Sequence, residues 1–417
     1  MASAKQQKID GLNALYPLPM KWEWKYLNEI CKINPRRPQI EREDNKMTSF
    51  VPMSSVDEAE GRITDLQKKP FAEIRRGYTY FEENDVLFAK ITPCMENGKS
   101  AVARQLIDSF GFGSTEFHVL RHSEFVIPEW IHLFVRRERY RTEAKKNFRG
   151  AVGQQRVPAD FLKKTLIPLP PSTEIQIRIV ARIESLLSEI KEARKLLDKM
   201  RRDAERVMDA ALGEVFLSRQ KDWLQTSLGR LLEKITTGTT PPSREDRYYN
   251  EDIQWFTPGD LGETKILEKS KRTLSKQAIK ERKAKLFKKG TLMFVGIGAT
   301  LGKVGVAGIE CSANQQITSL EFNSRVDVDY AYYWFRANSK NIRKQSGQAT
   351  LPILNQSGLK NLDFYYPESL TAQKRIVQHL DYIDLHTREA KDIFRKNILL
   401  LDKLEQSILE RAFRGEL

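Results

Sequence analysis

Residues 176–211, QIRIVARIESLLSEIKEARKLLDKMRRDAERVMDAA, return in altered form at residues 373–408 as QKRIVQHLDYIDLHTREAKDIFRKNILLLDKLEQSI, an offset of 197 residues. Gln176, Arg178, Ile179, Val180 and Ala193 recur as Gln373, Arg375, Ile376, Val377 and Ala390, and the same offset carries Leu162, Pro170 and Phe216 onto Leu359, Pro367 and Phe413. In the first copy Ile179, Ile183, Leu186, Ile190, Ala193, Leu197, Met200, Ala204, Val207 and Ala211 alternate in steps of four and three, which predicts the a/d seam of a long helix. Their counterparts Ile376, Leu380, Ile383, Thr387, Ala390, Phe394, Asn397, Leu401, Leu404 and Ile408 are apolar at all but Thr387 and Asn397. A repeat of this regularity sets the architecture before any motif is read.

Upstream of the helices the echo drifts: Trp22 and Leu27 match Trp223 and Leu228 at 201, and Gly98-Lys99 matches Gly302-Lys303 at 204. Insertions are tolerated in the globular parts and not in the helices, as two antiparallel helices of matched length require, because one extra residue throws every later core position out of register. We therefore expect four segments: a first globular domain at 1–172, a first long helix at 173–218, a second globular domain at 219–369 and a second long helix at 370–417. A helix of about 42 residues spans roughly 60 Å, so the pair reads as a spacer holding two pseudo-twofold-related domains apart. Ala193 and Ala390 would let the helices approach closely, and Asn397 could fix their register. Pro170-Pro171 precedes the first helix, where Thr173 with Gln176 predicts a capping box; the second copy has Leu370 in place of Thr173 and needs another cap.

Inside the globular parts the short runs 85–89, 117–120, 291–295 and 317–320 are rich in β-branched and aromatic residues and bounded by Gly, Pro, Asn and Asp, which predicts strands. Amphipathic helices are expected near 129–147, 275–289 and 328–343. The fold class is α/β: two mixed α/β domains separated by two long antiparallel coiled-coil helices.

Lysine and arginine outnumber acidic residues 70 to 55, a net charge of +15, which suits a polyanionic partner. No apolar stretch approaches 18 residues and no basic-then-apolar leader is present, so a cytoplasmic protein outside the membrane is expected. Cys31, Cys94 and Cys311 are odd in number and lack metal-ligand spacing, as reduced structural thiols would be.

Two basic domains on a rigid spacer call for a long anionic ligand that is itself roughly twofold, and duplex DNA answers that description. Since the domains share a framework and differ in their loops, the expected target is bipartite and asymmetric. The candidate reading residues are Lys90, Thr92 and Lys99 after the strand 85–89, and Lys146, Arg149, Gln154, Gln155 and Arg156 around two glycines. In the second domain they are Thr237, Thr239, Thr240, Arg244, Lys303, Lys344, Gln348 and Asn355. Arg, Gln and Asn can grip base edges in pairs of hydrogen bonds, while Lys and Thr hold phosphates. The runs Arg136, Arg137, Arg139, Arg141 and Lys280 to Lys289 are weaker phosphate candidates.

Gly296-Ile297-Gly298-Ala299-Thr300-Leu301-Gly302-Lys303 imitates a phosphate cradle, but Ile297 and Val304 stand where a Walker A loop needs glycine and Ser or Thr. We read a glycine-rich turn. Catalysis has no evident seat: His118, His122, His132, His379 and His386 show no triad or metal spacing, and neither Asn-Pro-Pro-Phe nor Asp-Pro-Pro-Tyr occurs, which a methyltransferase acting on a flipped base would carry. An enzyme of unusual type and a coiled-coil adaptor for other proteins are the rival readings.

The residues resemble the specificity subunits of type I restriction-modification enzymes over nearly the whole chain. The resemblance rests on DVLFAKITPCMENGK at 85–99, GFGSTEFHVLR at 111–121, TGTTPPSREDRYY at 237–249, IQWFTPGDL at 253–261, GTLMFVGIGATLGKVG at 290–305, the Pro168-Leu169-Pro170-Pro171 run and the ending 406–417. The Glu-Gln pair common at the family's helix start is here Glu174-Ile175-Gln176. The resemblance implies that each globular domain is a target recognition domain for one half of a split DNA site. It also implies that the helices dock two methyltransferase subunits, which bind S-adenosylmethionine and methylate adenine, while ATP-dependent translocation and cleavage belong to separate subunits. No cofactor is then expected on this chain, and Ile179, Ile183, Leu186, Leu197, Ile376, Leu380, Ile383, Phe394, Leu401 and Leu404 are the expected docking residues of the helices.

Overall fold

A computed structural model of the chain describes residues 16–151, 153–217, 222–345 and 352–417. It forms two compact units, Met1–Leu196 with Asn397–Leu417, and Leu197–Lys396. The long helices run over Thr173–Phe216 and Leu370–Phe413, and each contributes to both units.

In the first unit an antiparallel sheet takes the order Cys31–Ile33, Phe117–His122, Val86–Ala89, Ser100–Val102. Val86 to Ala89 is buried throughout: Val86 and Phe88 enter the cluster shared with the long helices, while Leu87 joins Val51, Phe81 and Val119. Successive side chains of a strand point to opposite faces, and burial on both explains an apolar run without polar alternation. A second sheet, ordered Gln67–Pro70, Met47–Val51, Phe110–Gly113, Thr79–Glu82, carries Phe50, Tyr80 and Phe112. Glu23–Tyr26 pairs with Leu166–Leu169, and the helix Pro128–Arg136 buries Trp130, Ile131 and Phe134.

The second unit repeats the plan with Leu232–Thr237, Ile317–Phe322, Leu292–Val295 and Val304–Ala307 in the same order, and adds Ile266–Leu267 parallel to the last. Leu292 and Phe294 face one cluster, Met293 and Val295 the other. Tyr249–Phe256 is flanked by Thr273–Leu274 and Ser312–Ala313, and Leu224–Ser227 pairs with Asp363–Tyr366. The expected strands are all present. Of the expected helices, 275–289 shrinks to Lys276–Lys280, because the chain turns at Arg282 with φ of 57°.

Each unit takes the start of one long helix and the end of the other. Ile179, Val180, Ile183 and Ile190 share the first unit's core with Ile408, Leu409, Ala412 and Phe413. Met208, Ala211, Leu212 and Phe216 share the second unit's core with Val377 and Leu380. The helices are thus antiparallel, and ion pairs keep the register: Arg194 holds Asp402 at 2.6 Å and Glu405 at 2.8 Å in the first unit, and Lys391 lies 4.0 Å from Glu205 in the second.

The even seam read from the repeat slips by one residue past Ala204 and Leu401. Met200, Val207 and Leu404 are exposed, while Met208 is buried and Glu405 half-buried. The step after Ala204 and after Leu401 is four residues instead of three, which brings the local spacing closer to the period of a straight α-helix. The expected capping box is also replaced. The Gln176 N–H reaches the Ser172 carbonyl at 3.2 Å, and its amide leaves the helix altogether, accepting from the Ile127 N–H at 3.0 Å and donating to the Phe125 carbonyl at 2.9 Å. Gln373 does the same for Asp327 N–H (2.8 Å) and the Arg325 carbonyl (2.9 Å), which accounts for a glutamine at both copies.

Candidate nucleic-acid interface

The loop that follows the central strand is built by the same backbone bonds in each unit. In the first, the Lys90 N–H donates to the Glu116 carbonyl and the Val157 N–H to the Lys90 carbonyl, both at 2.9 Å. Ile91 then bridges Arg156, and the Thr92 N–H meets the Gln155 carbonyl at 2.9 Å. In the second, the Gly296 N–H donates to Gln316 at 2.8 Å and the Leu354 N–H to Gly296 at 2.9 Å, while Ile297 bridges Ile353. Segments that are far apart in sequence therefore lie side by side: 90–92 with 155–157, and 296–298 with 352–354.

A third segment joins them in the second unit. The Gly238 N–H donates to Ile317 and the Thr239 N–H to Ala313, each at 2.9 Å. A Cβ at Gly238 would lie 2.3 Å from the carbonyl oxygens of Ala313 and Asn314, so only glycine fits this approach.

In the first unit most of the candidate reading residues are already engaged. Lys90 is half-buried, and burial pushes its ammonium pKa down. The Thr92 hydroxyl donates to Glu96, whose carboxylate also holds Lys145 at 2.7 Å and is kept below its ordinary pKa by both. Lys99 turns inward to the carbonyls of Met53 (3.3 Å) and Val56 (3.0 Å), and Lys146 pairs with Glu143 at 2.7 Å. Arg156 forks onto Glu116 through two bonds of 2.8 Å and holds that carboxyl below the usual range. Arg149 and Gln154 are exposed and Gln155 is half-buried.

In the second unit the Thr237 hydroxyl lies 3.2 Å from that of Thr318 and accepts from the Gln356 amide at 2.9 Å. Thr240 donates to Gln315, and the half-buried Thr239 has a hydroxyl without a partner. Asn355 caps the helix Gln356–Lys360 by accepting the Gly358 N–H at 2.9 Å. Arg244 and Lys344 are exposed, and Lys303 packs its stem over Gly262. Gln348 lies outside the described residues. Sequence reading did not single out Gln315, Gln316 or Gln356; Lys285, inside the run Lys280 to Lys289, reaches the Thr237 carbonyl with its ammonium at 2.8 Å. The signal for Gln316 was available: it stands where Glu116 stands in the matched strand.

The arginine run of the first unit is an internal brace instead of a phosphate-binding face. Arg137 is buried against the rings of Phe134 and Phe413, 4.1 Å and 4.7 Å from their centres, with Glu410 at 3.5 Å. Arg136 donates to the Ala59 carbonyl at 2.8 Å and Arg141 to the Glu96 carbonyl at 2.6 Å. The segment 296–303 is the expected glycine turn, with Gly298 and Gly302 at φ of 95° and 92°, and it runs into the strand Val304–Ala307, so no helix N-terminus is presented to a phosphate. Cys31 and Cys311 are buried free thiols and Cys94 is half-buried. Among the described residues no group of His, Cys, Asp and Glu could hold a metal ion, and no helix is long and apolar enough to cross a membrane.

The expected docking residues divide. Ile179, Ile183 and Leu380 are buried in the chain's own cores, and Leu186, Leu401, Ile376 and Ile383 pack against them. Their side chains contribute to this chain's own cores. Leu197 and Phe394 are half-buried, and Leu404 is exposed. Other apolar side chains on the long helices face solvent: Ile177, Leu196, Leu399 and Leu400 in the first unit, and Met200, Val207, Tyr382, Leu385 and Ile393 in the second.

Comparison with known proteins gives one result. A family model described as "Type I restriction modification DNA specificity domain" matches residues 19–198 and again 220–393. The specificity subunit of the type I restriction enzyme EcoEI of Escherichia coli is 38% identical over 174 residues, 41% of this chain and 29% of that protein. The EcoAI specificity subunit of Escherichia coli is 28% identical over 285 residues, 66% of this chain and 46% of its own length. The matched part of the chain thus spans less than half of either relative. A solved HsdS subunit from Thermoanaerobacter tengcongensis superposes with a TM-score of 0.61 at 25% identity, covering 97% of this chain and 99% of that one. A chain solved in work on complex assembly and conformational transition of the type I R-M system reaches 0.80 at 25% identity, covering 97% and 100%.

Proposed function

Because the chain belongs to the type I restriction-modification DNA specificity family, we propose that it is the non-catalytic DNA-specificity subunit of a type I restriction-modification complex. Its reading domains are 1–172 and 219–369, its spacer helices 173–218 and 370–417. Each domain reads one half of a bipartite, asymmetric duplex site, and the helices set the gap between the halves. The observation that carries this reading is the shared loop frame with unlike side chains: Lys90, Glu116 and Arg156 in one unit stand where Gly296, Gln316 and Ile353 stand in the other. One backbone device carrying two chemistries is what recognition of two different half-sites requires.

The helices also dock two methyltransferase subunits. Each unit offers its own exposed apolar helix residues for a docked subunit to cover, with Leu196, Leu399 and Leu400 in one and Tyr382, Leu385 and Ile393 in the other. S-adenosylmethionine binding and adenine methylation belong to those subunits, and ATP-dependent translocation and cleavage to further ones. Co-production with the methyltransferase subunits, followed by methylome sequencing, should reveal a split motif. A methylome with no bipartite motif would sink the reading.

A further inference from the structure

We propose that the recess of the second unit lined by Thr237, Gln315, Thr318, Asn355, Gln356 and Ser357 is a base-reading pocket that selects an A·T pair through the Gln356 amide. The proposal rests on the DNA-specificity reading above and deepens it. The recess has a volume of about 380 Å³ and is lined further by Gly296, Ile297, Ile353 and Leu354. None of these ten residues ionises. The lining carries no lysine or arginine, and its amides and hydroxyls supply the donors and acceptors that pair with the edge of a base.

The amide is held in place before any ligand arrives. Gln356 donates to the Thr237 hydroxyl, which is itself 3.2 Å from Thr318, and Thr237 sits at the end of a sheet strand. Beyond that bond a glutamine amide has a second N–H and a carbonyl oxygen, the donor and acceptor that adenine N7 and N6 take up in the major groove. Glycine at 296 lets the two segments that line the recess approach closely: a Cβ there would stand 3.0 Å from the Leu354 carbonyl oxygen. In the first unit the same frame bears Lys90, Glu116 and Arg156, so this pocket belongs to the second half-site alone.

The test is methylome sequencing of the intact complex carrying the wild-type chain, Gln356→Ala, Gln356→Glu or Gln315→Ala. With Gln356→Ala, one A·T position of the second half-site should lose its preference by about tenfold or more, while the first half-site stays as it was. Gln356→Glu, of the same size, should shift that position toward cytosine, whose N4 donates to a carboxylate. Gln315→Ala should weaken the same position and no other. A second half-site unchanged by both Gln356 variants would overturn the proposal while leaving the split motif, and with it the specificity reading, intact. Loss of both half-sites together would also overturn it, since Gln356 would then act on folding or assembly.

Discussion

Phe413 and Trp130, from the end and the first third of the chain, stack with ring centres 4.3 Å apart and planes inclined by 47°. Phe413 is fully buried, and its repeat partner Phe216 makes the matching contact with Tyr330 at 5.4 Å. Phe413→Ala should destabilise the first unit by about 3–5 kcal/mol, the usual cost of emptying a buried aromatic site, and Phe216→Ala should do so for the second. Hydrogen exchange would show protection falling at 128–136 with the first variant and at 328–345 with the second. Equal loss in both units from one substitution would contradict this.

Gln176 and Gln373 each satisfy backbone groups of a loop beside a helix start. Replacement by leucine keeps the bulk and orphans those groups, at about 1–3 kcal/mol each. Denaturant unfolding of Gln176→Leu and Gln373→Leu measures the loss, and unchanged midpoints would show that water replaces the amides.

Arg137 and Arg149 should separate by assay. Arg137→Met disturbs a buried brace between Phe134, Phe413 and Glu410 and should lower the melting temperature without altering the salt dependence of DNA binding. Arg149→Ala and Arg244→Ala, both at exposed positions, should leave melting alone and each reduce the slope of log K against log salt by about one.

Acidification should weaken the first unit. His132 is buried, with its ring beside the Ser100 carbonyl, and burial lowers its pKa from the ordinary value to about 3. The unfolded chain therefore binds a proton that the folded chain refuses between these limits. Stability is full above the ordinary histidine pKa and falls as pH drops below it, by up to about 1.4 kcal/mol per pH unit for one group. Urea unfolding from pH 7 to pH 4 should show this slope, and His132→Gln should reduce it by one proton's worth.

Removing matched turns from both long helices should narrow the gap in the methylated motif and leave the bases of each half unchanged. Changed bases with an unchanged gap would count against the spacer role.

The repeat made the helices, the strands and the duplication legible because each depends on local periodicity. The heptad slip did not show, since Val207 and Met208 are both apolar and only packing decides which is buried. Nor could spacing reveal that Lys99 would turn to Met53 and Val56, or that Arg156 would be held by Glu116; these pairings are made by the fold between distant segments. Charge was the poorest guide, because Arg137 and Lys344 look alike in sequence and lie at opposite extremes of exposure.

The first unit's core takes in Ile408, Leu409, Ala412 and Phe413, whereas the second unit is one unbroken stretch, Leu197–Lys396. During synthesis from the N-terminus, the domain translated first must wait for the last residues to leave the ribosome before its core can close. The domain translated second has all its parts earlier. The order of completion is thus the reverse of the order of translation: a chain ending at residue 396 and released from the ribosome would carry a finished second domain and an open first one.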